Sequence, residues 1–193
     1  MANVLEVKKA PKGSDLALVQ QVGAGDRSAQ RALTQRIFPR VKTIAYRIAS
    51  RPADAEDAAQ SAMIEILHHV SGYQGAGRLE SYCDRIATRA TLRHLRGERI
   101  PRSSEPDELA APSAELSGRE RTPQGIETYL TALSQPLREA LVLRHVLEYS
   151  IDEIAELTGS SRNTVKDRLV RARQAMRRQI RRDQNIGTRR GQR

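Results

Sequence analysis

The stretch Ser150–Arg182, SIDEIAELTGSSRNTVKDRLVRARQAMRRQIRR, constrains the fold more than any other part of the chain. It holds two helical patterns parted by a short Gly-Ser turn. Ser150 caps the first, and Glu153 three residues on completes an S-x-x-E capping box. Ile151, Ile154, Ala155 and Thr158 then repeat at the spacing of one helical face. Gly159 follows, the residue type that most easily takes the left-handed conformation ending a helix. Ser160 or Ser161 starts the second helix, where Val165, Leu169, Ala172, Met176 and Ile180 form a single apolar stripe. Off that stripe lie Arg162, Asn163, Lys166, Arg168, Arg171, Arg173, Arg177, Arg178, Arg181 and Arg182. A merely solvated helix mixes signs for i,i+4 support, whereas Asp167 is the one acid opposing these cations. The asymmetry favours nucleic-acid contact over plain αα packing and predicts a helix-turn-helix whose second helix enters the major groove.

Composition agrees with a small helical protein. With 38% apolar residues, one Phe and no Trp, 193 residues cannot fill a large aromatic core. Small helical domains packed with Leu, Ile, Val and Ala remain, one or two of them at this length. The net charge of +10 predicts a polyanionic partner, nucleic acid before membrane. Cys83 is the single cysteine, so no internal disulfide forms and no zinc site is built on thiolates; beside Tyr82, Ile86 and Ala87 it reads as a packed thiol. His68, His69, His94 and His145 show no ligand spacing. There is no signal-peptide run at the N-terminus, and no stretch nears the roughly 20 apolar residues of a membrane span. The expectation is a cytoplasmic protein without membrane insertion, with no cofactor, no metal site and no catalytic residue.

Taken in order, residues 1–13 carry Lys8, Lys9 and Lys12 around Pro11 and are expected to be disordered. Ser14 or Asp15 caps a short helix with Leu16, Val19 and Val22 on one face, and Gly23 and Gly25 break it. Asp26 caps a second helix, with Ala29, Leu33, Ile37, Val41, Ile44 and Ile48 in line and a kink or break expected at Pro39. Asp54 opens a third helix, in which Ala59, Met63, Ile66, Leu67 and Val70 face inward. Glu56, Asp57, Gln60, Ser61 and Glu65 fall largely away from them as an acidic, polar ridge, which capping explains in part and a protein partner explains as well. The Gly-rich loop Ser71–Arg78 leads into a fourth helix, Leu79–Arg99, with Leu79, Tyr82, Cys83, Ile86 and Ala90 inward. Arg78, Arg85, Arg89, Arg93, Arg96 and Arg99 line one side of it, a strip suited to a phosphate backbone. Pro101–Gly125, rich in Pro, Ser and Gly, reads as a slightly acidic flexible linker. A second domain starts near Ile126, and Pro136 sits in the first turn of a helix carrying Leu137, Ala140, Leu141, Leu143 and Leu147.

The pattern as a whole resembles the two-domain sigma factors of bacterial RNA polymerase, the extracytoplasmic-function group. DAEDAAQ at Asp54–Gln60 looks like the family's segment that docks on the polymerase clamp helices. YCDRIATRATLRHLR at Tyr82–Arg96 is similar to the segment that opens and reads the minus-ten element. LSQPLREALVLRHVLEYSIDEIAELTGSSRNTVKDRLVRARQAMRR, Leu133–Arg178, follows its minus-thirty-five-binding domain. The resemblance implies an all-α fold of two small domains: residues 14–99 for polymerase and the minus-ten element, 126–182 for the minus-thirty-five element. A linker at 100–125 would join them; the tail at 183–193, past the span of the resemblance, is basic and Gly-containing and is expected to be frayed.

It also implies sites. Asp54, Glu56, Asp57 and Gln60 would bind polymerase. Tyr73, Arg78, Tyr82, Arg85, Arg89, Arg93 and Arg96 would meet melted minus-ten DNA. Arg162, Asn163, Thr164, Lys166, Arg171 and Arg173 would meet duplex minus-thirty-five DNA. The implied partners are core RNA polymerase, through clamp helices and flap, promoter DNA, and an anti-sigma factor. The chain departs from the family pattern at Ser61 (usually Glu), Tyr82 (usually Trp), Arg89 and Arg93 (usually Asn and Asp) and Asp167 (commonly Ser). A stand-alone regulator would need a sensor or dimerisation domain, and a nucleic-acid enzyme would need a metal-ligand cluster. Neither pattern is present.

Overall fold

The computed structural model describes residues 12–97 and 126–190, with side chains over 14–97 and 128–184. The expected disordered N-terminus, apart from Lys12 and Gly13, and the expected linker lie outside the described residues. Every regular element described is helical: α1 (Lys12–Gly23), α2 (Arg27–Ile48), α3 (Pro52–His69), α4 (Leu79–Leu95), α5 (Ile126–Thr131), α6 (Gln135–His145), α7 (Ile151–Thr158) and α8 (Arg162–Arg190), with a one-turn 3₁₀ helix at Val70–Gly72.

α2 is the axis of the first group. Asp26 caps it, its carboxylate accepting from the Ser28 and Ala29 amides at 2.7 and 3.1 Å. The helix runs unbroken through Pro39, so the break that proline invites does not occur. Losing one backbone bond to an interior proline costs about 3 kcal/mol. Leu33, Ile37, Val41, Ile44 and Ile48, all on this helix, are almost fully buried, each such side chain stabilising by about 1.5–3 kcal/mol. Burial wins. From the opposite side of α2, Arg36 reaches Asp15 of α1 at 2.6 Å and Glu80 of α4 at 2.5 Å, and Arg40 reaches Asp84 of α4 at 2.6 Å. Asp15, expected as a possible cap for α1, is thus a buried partner of Arg36 instead.

Several helix ends differ from expectation, each for a local reason. α3 opens with Pro52 rather than Asp54, because proline is preorganised for the first helical position and has no amide to leave unsatisfied. α4 stops at Leu95 rather than Arg99, since Gly97 takes the left-handed conformation (φ 68°) just past the cap residue Arg96. α8 continues to Arg190, beyond the expected end at Arg182 and through Gly187. Extending an existing helix needs no new nucleus, and one interior glycine costs only about 1 kcal/mol against alanine.

In the second group α5, α6 and α7 pack on the stripe of α8, burying Val165, Leu169 and Ala172. The Ser150–Glu153 capping box forms in both directions, at 2.7 and 3.2 Å. Gly159 ends α7 at φ 58°. Ser161, of the two candidate serines, starts α8 by accepting the Thr164 amide at 3.1 Å. The two groups share one continuous core, and α6 lies against the end of α2 while α7 lies against α4.

Candidate nucleic-acid interface

Three surfaces carry the candidate residues. On α8 the first turn presents Arg162, Asn163, Thr164 and Lys166 to solvent, and Arg171 and Arg173 follow one and a half turns later. Arg162 leans back across the turn onto Asp152 of α7 at 2.7 Å, and Arg171 onto Asp167 at 3.0 Å. Arg173 donates to the Leu169 carbonyl of its own helix at 3.2 Å. Ion pairs this exposed contribute about 0–1 kcal/mol, so a competing anion would displace them at little cost. The turn itself is held by local bonds on both sides. Its capping box, left-handed glycine and Ser161 cap fix the angle at which the first turn of α8 is presented.

On α4 the residues of the arginine strip are not equivalent. Arg85 and Arg89 are half-buried. Arg93 is bonded to Glu65 of α3, with its Nε buried and without a partner among the described residues. Arg96 donates to the Leu157 carbonyl of α7 at 2.7 Å. Arg78 stands near Glu80 at 3.7 Å. Tyr73 and Tyr82, singled out as aromatic contacts, are both buried, with ring centroids 5.6 Å apart and tilted by 56°. The Tyr73 hydroxyl donates to the Gly77 carbonyl at 3.0 Å and the Tyr82 hydroxyl to the His69 carbonyl at 2.9 Å. These rings form the wall that shapes the Ser71–Arg78 loop. A Cβ on Gly75, already at φ 82°, would come within 3.2 Å of Leu16, so the loop is also pinned to α1.

On α3 the acidic ridge divides in two. Asp54 is held by Arg51 at 2.7 Å. Glu56 accepts from the Tyr46 hydroxyl and pairs with Lys42 at 2.9 Å, which together hold its carboxyl below the usual glutamate value. Asp57 and Gln60 stand exposed, and Ile64 continues their line one turn on, 52% exposed. Ile64 was not among the sequence candidates. Its signal was present, since it interrupts the polar ridge off the apolar face of the helix. Ser61 bonds the Asp57 carbonyl at 2.9 Å and lies 3.3 Å from a ring nitrogen of His94, tying the ridge to α4.

Among the described residues no group of three or more His, Cys, Asp or Glu side chains could hold a metal, and no helix is long and apolar enough to cross a membrane. Burial pushes the Cys83 thiol well above its usual range.

Two family descriptions match the chain: Sigma-70 region 2 over residues 33–100 and Sigma-70, region 4 over residues 124–176. The ECF RNA polymerase sigma factor SigM of Mycobacterium tuberculosis is 31% identical over 160 residues, spanning 83% of this chain and 81% of that protein. The ECF RNA polymerase sigma factor SigW of Bacillus subtilis is 26% identical over 183 residues, spanning 84% of this chain and 95% of that protein. Among solved structures, the sigma factor RpoE in complex with the anti-sigma factor NepR from Bartonella quintana covers 77% of this chain and 94% of that chain, at 20% identity and a TM-score of 0.49.

Proposed function

The chain belongs to the extracytoplasmic-function family of RNA polymerase sigma factors, and on that premise we propose a division of labour among its three surfaces. As a sigma factor it serves promoter-specific transcription initiation. Residues 14–99 bind core polymerase and melted minus-ten DNA, residues 126–182 bind duplex minus-thirty-five DNA, and residues 100–125 link them. The observation that carries this reading is a contrast within one folded unit. α3 presents an acidic and apolar outer face (Asp57, Gln60, Ile64), while α4, packed on its other side, carries the arginines. A protein of net charge +10 that only bound DNA has no use for that face. A polymerase partner gives it one.

On the duplex side, Arg162, Asn163, Thr164 and Lys166 occupy the positions from which a recognition helix reaches base edges, and Arg171 and Arg173 those from which it meets phosphates. On the melted side, capture of an unpaired base costs a few kcal/mol of lost stacking. The loop braced by Tyr73 and Tyr82 offsets that cost, with Arg78 beside it and Arg85, Arg89 and Arg96 spread along α4 supplying charge. Arg93 contributes by holding α4 to α3. RNA synthesis itself stays with the polymerase, and an anti-sigma factor is the further partner that family membership implies. Titrating the labelled chain with core polymerase tests the reading: saturable binding is expected, and a chain that does not associate with core rejects it.

A further inference from the structure

α1 lies against the loop Ser71–Arg78 and meets it or its flanks at three places. At the start, a Cβ added to Gly23 would stand 3.5 Å from the Ser71 Cβ, and α1 rests on the one-turn 3₁₀ helix that opens the loop. At the middle, Leu16 covers the side of Gly75 from which a side chain would project, its nearest methyl 3.2 Å from an added Cβ. Past the end, Asp15 accepts from Arg36 of α2, and Arg36 donates in turn to Glu80 in the first turn of α4. The loop needs such support. Gly75 and Gly77 both stand at φ 82°, a conformation glycine takes without strain but does not hold by itself. From within the loop, the Tyr73 hydroxyl bond to the Gly77 carbonyl adds a tie of its own.

The contacts of α1 divide by task. Val19 and Val22 are almost fully buried and seat the helix in the core. Leu16 is only half-buried, and Asp15 carries a carboxylate into a buried position, which is costly unless it is paired. Both act on the loop and on the start of α4 that follows it. α1 also precedes residue 33, where the match to Sigma-70 region 2 begins. We infer that α1 is a brace for base selection, in which Leu16 beneath Gly75, and Asp15 through Arg36 and Glu80, are positioning residues that set which unpaired base the loop accepts. This rests on the proposed role of the loop in minus-ten recognition. A pocket for an unstacked base discriminates only while its walls keep their spacing, because a loop that yields re-forms around a wrong base as well as a right one. Gln74 and Arg78, exposed beside the fixed points Gly75 and Glu80, are the side chains whose placement the brace governs.

The test compares Leu16→Ala, the conservative Leu16→Met and a control, Ile44→Val, in the full chain. Ile44→Val thins the same core about 12 Å further along α2 from Arg36. Run-off transcription with core polymerase over templates randomised across the minus-ten element reads the base preference at each position. Leu16→Ala is expected to flatten the preference at one position by roughly fivefold, with the minus-thirty-five preferences unaltered, and Leu16→Met to restore it. Wild-type preferences in Leu16→Ala, or equal flattening by Ile44→Val, overturn the inference. Hydrogen exchange of the free chain supplies a readout independent of promoters. Amides from Ser71 to Arg78 should exchange about threefold faster in Leu16→Ala than in Ile44→Val, and equal rates count against the brace. A wild type that transcribes nothing with core defeats the sigma reading instead, and the exchange comparison still decides whether α1 holds the loop.

Discussion

Arg93 of α4 is bonded to Glu65 of α3, and the pair is largely withdrawn from solvent, the two side chains being 22% and 6% exposed. An arginine that the helical spacing places on the strip proposed for DNA is therefore a strut between α3, proposed to meet polymerase, and α4, proposed to read DNA. Removing one member of such a buried pair leaves a charge without compensation and costs about 3–5 kcal/mol. Glu65→Ala is expected to destabilise the chain by about 3 kcal/mol in urea unfolding. The exchanged pair Glu65→Arg/Arg93→Glu should be more stable than either single variant, a coupling that a double-mutant cycle measures. Additive losses would show that the two residues do not act through one another.

Ile64 is the apolar centre of the exposed face of α3. Ile64→Asp should leave the melting temperature within a degree or two, because the side chain supports no core, yet weaken binding to core polymerase by at least tenfold, about 1.4 kcal/mol. Asp57→Lys should act in the same direction. Neither change should alter affinity for duplex promoter DNA measured without polymerase.

Arg171 and Arg173 are assigned to phosphates. Removing one phosphate-binding cation lowers the slope of log K against log salt by about 0.9, so the double alanine variant should bind promoter duplex with a slope smaller by about 1.8. An unaltered slope would place both residues on a solvated face.

Acid should attack the junction of α1, α2 and α4. Burial alone would raise the Glu80 carboxyl, but the hydrogen bond and charge of Arg36 outweigh it and hold the group below its ordinary value of 4.5. A carboxylate depressed in the folded state contributes stability that is present above pH 4.5 and is lost as pH falls through the lower folded value. Arg36→Ala removes the cause of the depression, so the variant should be less stable than the wild type above pH 4.5 and should lose stability less steeply as pH falls below it in acid titration of unfolding. Asp84 behaves oppositely, burial holding it above its usual value despite Arg40, so it adds nothing to that acid limb.

The cap of α7 gives a cleaner stability test. Ser150→Ala removes the acceptor for the Glu153 amide and should cost about 1 kcal/mol. Loss of the fixed approach angle should also weaken binding to duplex DNA.

What was legible in the chain follows from the range of the forces involved. Ser150, Glu153, Gly159 and Asp26 act on neighbours within a few residues, and each does in the structure what its spacing announces. The stripes of α2 and α8 are periodic, so the buried faces could be read directly. Long-range pairing could not. Nothing in the sequence distinguishes Arg93, which meets Glu65, from Arg89 one turn earlier. Nor does it indicate that Arg138 lies beneath the end of α2, 89 residues away along the chain. Tyr73 and Tyr82 carry the composition of a stacking surface, and only the fold reveals that they pack against each other beneath a loop instead. Pro39 misled for a related reason, because local propensity is overruled when burial stands on the other side of the balance.

Sigma activity is measured most directly by run-off transcription with core polymerase over a promoter library, with and without the chain. Discrete transcripts are expected that require the chain and start downstream of a shared pair of sequence elements, with Ile64→Asp abolishing them. Transcripts that are the same without the chain, or a chain that leaves core polymerase inert at every promoter, would show that it is not acting as a sigma factor.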